Sequence, residues 1–68
     1  MIGYSNFSKN LKKLRINLNL SKDELAYELG LSIATLEMYE NLEAYPDEMT
    51  IKKIAEFFNC SKNELCIS

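Results

Sequence analysis

The amino-acid sequence predicts an all-α fold of five short helices, and three observations carry that expectation. Apolar residues recur at spacings of three and four through most of the chain, the period of an amphipathic helix. Two Ser-x-x-Glu boxes, at Ser21/Glu24 and Ser61/Glu64, each mark a helix start, because the serine and glutamate side chains reciprocally satisfy backbone N–H groups of the first turn. Glycine and proline are sparse, with two Gly and one Pro in 68 residues, so few positions break a helix.

The elements follow in order. Residues 1 to 4 read as a short arm, and Ser5 as the cap of the first helix. Phe7, Leu11, Leu14 and Leu18 form its buried stripe, which leaves Lys9, Lys12 and Lys13 outside; Ile16 falls off the stripe, either exposed or widening it. Asn17 and Asn19 end this helix, since asparagine tolerates the left-handed conformation. A second helix begins at Lys22 with Leu25, Ala26 and Leu29 on one face, and Gly30 stops it. Leu31 is a buried turn residue, Ser32 is a fresh cap, and Leu36, Tyr39 and Glu40 fall at helical spacing on a third helix. Helix, glycine-containing turn and helix make the helix-turn-helix plan. The stretch NLEAYPDE reads as a loop. A fourth helix is expected from Thr50, burying Ile51, Ile54, Ala55 and Phe58 and ending at Asn59, and the Ser61/Glu64 box starts a last one with Leu65 inward. The expected core is Phe7, Leu11, Leu14, Leu25, Ala26, Leu29, Leu31, Leu36, Ile51, Ile54, Ala55, Phe58 and Leu65.

Composition narrows the function. A chain of 68 residues reads as one domain, 1–68, close to the lower size at which a hydrophobic core sustains a fold unaided. No stretch has the roughly 20 consecutive apolar residues of a membrane span, and the start MIGYSNF lacks a signal-peptide pattern, so a cytoplasmic location is expected. With no histidine and only Cys60 and Cys66, a structural zinc site lacks its ligands; no metal and no cofactor is expected. Cys60 reads as a small core residue rather than a redox switch. Catalysis is discounted too, because no phosphate-cradling glycine loop is present and the carboxylates lie on faces meant for water. The net charge of −2 and pI near 5.0 are poor for a nucleic-acid binder, but the charges are segregated. Residues 1 to 20 carry Lys9, Lys12, Lys13 and Arg15 and no acid; residues 21 to 50 carry Lys22 alone against Asp23, Glu24, Glu28, Glu37, Glu40, Glu43, Asp47 and Glu48.

The sequence resembles the phage repressor and Cro type of helix-turn-helix domain, the Xre family. The resemblance is carried by Phe7, Leu11, Leu14 and Arg15, then by LSKDELAYELGLS at 20 to 32, TLEMYEN at 35 to 41, Pro46, and TIKKIAEFFNCSKNEL at 50 to 65. It implies a five-helix fold like that of the lambda repressor, and a bacterial, phage or prophage regulator that binds double-stranded operator DNA with its third helix in the major groove, associated with the nucleoid when bound. It places Lys22 on a phosphate and Ile33, Ala34, Thr35 and Met38 towards base edges, with Glu37 at their flank. It pairs Arg15 with Glu40 in a structural salt bridge. Two positions depart from the family's pattern: Leu42 stands where the family usually has glycine, and Glu43 stands near its usual basic residue.

Two functional readings follow. In the first, the chain is an operator-binding regulator with Lys22, Thr35, Asn41, Lys12 and Lys13 on phosphates, and Ile33, Ala34 and Met38 against thymine-rich bases, whose methyl groups are the apolar feature of the major groove. In the second, the scaffold serves protein interaction: Ile33, Ala34, Met38, Leu42, Tyr45 and Met49 form an apolar patch rimmed by Glu37, Glu43, Asp47 and Glu48, suited to a basic partner such as another regulator. A homodimer is compatible with either. A third, plainer reading makes Met38 and Leu42 partial core residues.

Overall fold

A computed structural model describes residues 6–67. Five helices follow one another: α1 (Phe7–Asn17), α2 (Lys22–Leu29), α3 (Ile33–Glu40), α4 (Glu48–Phe57) and α5 (Lys62–Cys66), with no strand among the described residues. Both capping boxes form, with Ser21 and Ser61 accepting the amides of Glu24 and Glu64 at 3.0 Å while each glutamate accepts its serine's amide at 2.8 Å. Ser5, the expected cap of α1, lies outside the described residues.

Four of the five helices end in the same way. A residue in the left-handed region follows each of α1 to α4: Asn19, Gly30, Leu42 and Asn59, with φ between 58° and 69°. In each case this residue's N–H donates to the carbonyl three positions back and the next N–H donates five positions back, as in Gly30 to Tyr27 and Leu31 to Ala26. Such a turn satisfies carbonyls that the helix leaves without partners, and usually tucks an apolar residue under the helix just beyond it. Leu20, Leu31 and Cys60 fill that place after α1, α2 and α4, each packed on the core. After α3 it is filled by Glu43, which is exposed.

The core gathers Phe7 and Leu11 from α1, Leu25, Ala26 and Leu29 from α2, Leu36 and Tyr39 from α3, Ile51, Ile54 and Ala55 from α4, and Leu65 and Cys66 from α5. Leu14, Leu31 and Phe58 pack against it half-buried. Tyr39 and Cys66 extend the expected set; the Tyr39 ring meets Phe7 edge-on with centroids 6.0 Å apart. Leu18 does not belong to it. As the residue after α1's last turn it swings out of the stripe and is 54% exposed, and Ile16 is exposed as well.

Helix α4 begins earlier than its apolar pattern implies, at Glu48 rather than Thr50. Asp47 is the cap, its carboxylate accepting the Thr50 amide at 2.9 Å. That bond, reinforced by the Thr50 hydroxyl, holds the Asp47 carboxyl below its usual pKa. Buried Pro46 leads the chain into this cap.

Candidate nucleic-acid interface

Helix α3 is held from beneath. Glu40, 5% exposed, receives Arg15 in two-pronged fashion, Nε to Oε2 at 2.7 Å and Nη2 to Oε1 at 3.2 Å. The third arm of the guanidinium, Nη1, donates to the Leu20 carbonyl at 2.9 Å, so one arginine ties α1, the α1–α2 link and α3 together. Buried Ser8 adds a hydroxyl donated to the Glu40 carbonyl at 2.6 Å. No buried side-chain polar atom among the described residues lacks a partner, which is what lets a carboxylate sit at this depth.

Anchoring the inner side in this way fixes what the outer side presents. Ile33, Ala34, Glu37 and Met38 lie along one stripe of α3 and are exposed, while Thr35 is half-buried beside them. Ser32 caps the helix: its Oγ accepts the Thr35 amide at 3.0 Å and donates to the Thr35 hydroxyl at 2.8 Å. The two hydroxyls thus share one hydrogen bond at the start of α3.

Lys22, the first residue of α2, reaches Glu37 across the helix-turn-helix with 3.8 Å between Nζ and Oε2. Both side chains are well exposed, so the pair is weak and easily exchanged for another anion. Its value here is geometric, since it places the Lys22 ammonium against the outer stripe of α3. The turn between the two helices is braced from α4, where the Lys53 ammonium donates to the Leu29 carbonyl at 3.0 Å.

The remaining candidate residues divide among different surfaces. Asn41 is exposed at the end of α3. Lys12 lines a crevice between α1 and the end of α3, together with Asn6, Ser8, Lys9, Glu40 and Leu42. Lys13 lies on another side of α1, in a groove with Asn17, Asn59, Cys60 and Glu64. Lys22, Ile33, Ala34, Thr35 and Met38 are therefore brought onto one surface, Lys12 onto its neighbour, and Lys13 onto a separate one. Met38 and Leu42, 38% and 56% exposed, are not core residues.

Several residues act without having been singled out from the sequence. Asn10 clasps the last helix, donating to the carbonyls of Leu65 at 2.9 Å and Glu64 at 3.2 Å. Ser8 lies three before Leu11 and seven before Arg15, so its place on the inner side of α1 was readable from spacing. Lys53 carried no such signal. The two thiols are pushed up in pKa, chiefly by burial, with Glu64 adding to the effect at Cys60; raised thiols stay protonated and are poor nucleophiles. Among the described residues no cluster of His, Cys, Asp and Glu could hold a metal ion, and no helix is long and apolar enough to cross a membrane.

Comparison with known proteins agrees with this geometry. A family model described as Helix-turn-helix domain matches residues 8–66. The chain is similar to the HTH-type transcriptional activator BcrR of Enterococcus faecalis, 32% identical over 59 residues that cover 87% of this chain and 29% of that protein. The chain thus spans well under half the length of that relative. No solved structure matches it.

Proposed function

The chain belongs to the helix-turn-helix domain family, and from that premise we propose that it is a small DNA-binding transcription regulator of the phage-repressor type, seated on operator DNA with α3 in the major groove. The observation that carries this reading is the placement of Lys22 beside the exposed stripe of α3, on a helix whose inner side is locked by Arg15 and Ser8. Phosphate contacts set the position of such a domain on the duplex, and base-edge contacts choose the sequence. Lys22, Thr35, Asn41 and Lys12 take the phosphates; Lys13, on its separate surface, contributes least. Ile33, Ala34 and Met38 face the bases and select by thymine methyl groups rather than by hydrogen bonds. In the cell such a regulator is cytoplasmic and joins the nucleoid when bound.

The carboxylates near this surface set the character of the binding. Glu37 and Glu43 oppose phosphate, so sequence-independent affinity is low. The test is an electrophoretic shift series over salt with fragments of a host or phage genome. Lys22→Ala is expected to weaken all sequences alike and lower the salt slope by about one unit. Glu43→Lys is expected to tighten binding, while Met38→Ala changes preference at one base position by about 1 to 3 kcal/mol. Absence of any shift at low salt overturns the proposal.

A further inference from the structure

The outer stripe of α3 carries a carboxylate that folding does not use. Glu37 is exposed in mid-helix, beyond the first turn where an acid favours the helix dipole, and the residues three and four positions away, Ile33, Ala34, Glu40 and Asn41, bear no positive charge. Its ion pair with Lys22, at 3.8 Å between well-exposed side chains, contributes little to stability. The bonds from Arg15 and Ser8 that hold α3 end on Glu40, not on Glu37. A carboxylate is also ill suited to a surface that meets phosphate. Neither the fold nor backbone contact therefore accounts for it.

Its position decides what it meets. At about 3.6 residues per turn, Glu37 falls between Ile33 and Ala34 when α3 is viewed down its axis, one turn further along, with Met38 next to it. Wherever Ile33 and Ala34 reach base edges, Glu37 reaches them too. Of the four side chains in this stripe, Glu37 alone forms hydrogen bonds, and an ionised carboxylate only accepts them. The donors that bases present in the major groove are the N4 amino group of cytosine and the N6 amino group of adenine. On adenine the amino group adjoins the acceptor N7, which repels a carboxylate and suits a carboxamide; on cytosine the amino group has no such neighbour on its own base.

We propose that Glu37 is a specificity-determining residue that reads one C·G pair, its carboxylate accepting from cytosine N4, so that the operator fixes a cytosine among its thymines. This inference rests on the DNA-binding reading and deepens it by naming a base. Lys22 makes the readout conditional. In the free protein its ammonium lies against the Glu37 carboxylate, and on DNA it turns to a phosphate. Where a cytosine amino group takes its place, the carboxylate keeps a partner. At another base pair, Lys22 either leaves the carboxylate unpaired in the groove or stays with it and gives up the phosphate. Glu37 thus discriminates by a penalty on wrong sequences as well as by a contact with the right one.

Selection from a pool of randomised DNA duplexes, followed by sequencing, tests this with the wild type, Glu37→Gln and Glu37→Ala. The wild type is expected to fix one C·G pair beside thymines. Glu37→Gln is expected to put an A·T pair there, because a carboxamide bonds both N6 and N7 of adenine, and Glu37→Ala to lose preference at that position alone. In electrophoretic shifts, changing that C·G pair to T·A should weaken the wild type by about tenfold. Glu37→Gln should bind the original duplex more weakly than the wild type does and the changed duplex more tightly, with the melting temperature of both variants close to that of the wild type. A carboxylate that serves only the fold gives no such pair of opposite changes. The inference is overturned if the wild type fixes no cytosine, if all three proteins select the same bases, or if Glu37→Gln shifts every affinity by one common factor, as relief of phosphate repulsion alone would. In those cases binding persists and the DNA-binding reading stands. If the wild type retains no duplex from the pool at low salt, that reading falls and this inference falls with it, even where a protein is found to dock on the α3 stripe.

Discussion

The ends of α2 and α3 share one backbone and differ in everything attached to it. Gly30 and Leu42 have φ of 69° and 64°, and each is followed by the same pair of backward hydrogen bonds. At α2 the local choices favour the turn, since glycine carries no Cβ to strain and Leu31 packs under the helix, and Lys53 adds one bond from α4 to the last carbonyl. At α3 none of these is present; a leucine is strained, Glu43 is left in water, and no lysine donates to the carbonyls there among the described residues. The helix nevertheless ends in place, because Arg15 and Ser8 grip Glu40 from below. One end is thus stabilised chiefly by its own sequence, with one added bond from Lys53, and the other by tertiary contact alone, which leaves the second end's surface open to other uses.

The largest expected effect comes from removing that grip. Arg15→Met leaves the Glu40 carboxylate buried without its cation, and a loss of about 3 to 5 kcal/mol is expected, read as a sharp fall in Tm. The equivalent loss at α2 has no single residue to carry it. A shift of only a degree or two would show that α3's end is self-sufficient after all, and the contrast would fail.

An exchange of the two left-handed residues comes next in size. Gly30→Leu is expected to cost roughly 1 to 2 kcal/mol, the penalty of an L-residue in that region. The cost is conformational rather than steric, since a Cβ at position 30 would meet only the Lys53 ammonium at 3.5 Å, an ordinary contact. Leu42→Gly has the opposite sign and should stabilise by up to ~1 kcal/mol, the relief of strain being partly offset by the greater freedom of glycine in the unfolded chain. Urea melts of the two variants read this directly. Two changes of the same sign would mean that packing, and not the left-handed backbone, distinguishes the two ends.

The same contrast separates what was legible in the sequence from what was not. Features set by a residue and its near neighbours could be read: the capping boxes of Ser21 and Ser61, the stop at Gly30, and the stripes ending in Leu36, Ile54 and Leu65 all answer to spacing alone. The start of α4 was misread because Asp47 caps without a glutamate three residues later, so only half of the usual signal is present. Leu18 was misread because its spacing continues a helix that Asn19 has already ended. The Arg15–Glu40 contact joins positions 25 residues apart, and only resemblance to a family pointed to it. Spacing puts Ser8 on the inner side of α1, but the carbonyls of distant helices that Ser8, Asn10 and Lys53 bond are encoded by no periodicity. At the candidate interface, sequence could nominate outward positions of α3 but could not show that Lys12 and Lys13, adjacent in the chain, face different grooves.

The smallest expected effect belongs to Lys53. Its ammonium lies 3.0 Å from the Leu29 carbonyl, where a cation meets the negative end of the α2 dipole. Lys53→Met keeps the length of the stem and removes only the charge and its hydrogen bond, so the loss should be about 0.3 to 1 kcal/mol at low ionic strength. Because the side chain stands on an exposed residue, salt should erase most of that difference, and urea melts at low and high salt would show the two proteins converging. Lys12→Met provides the comparison at the other end, since Lys12 lies in the crevice by Leu42 yet donates no hydrogen bond to a described residue there. It should leave stability nearly unchanged at either salt. A loss at Lys53 that persists at high salt would assign its effect to packing of the stem rather than to the carbonyl. In that case the α2 end would depend on buried tertiary packing as the α3 end does, and the distinction between the two helix ends would narrow to Gly30 and Leu42 themselves.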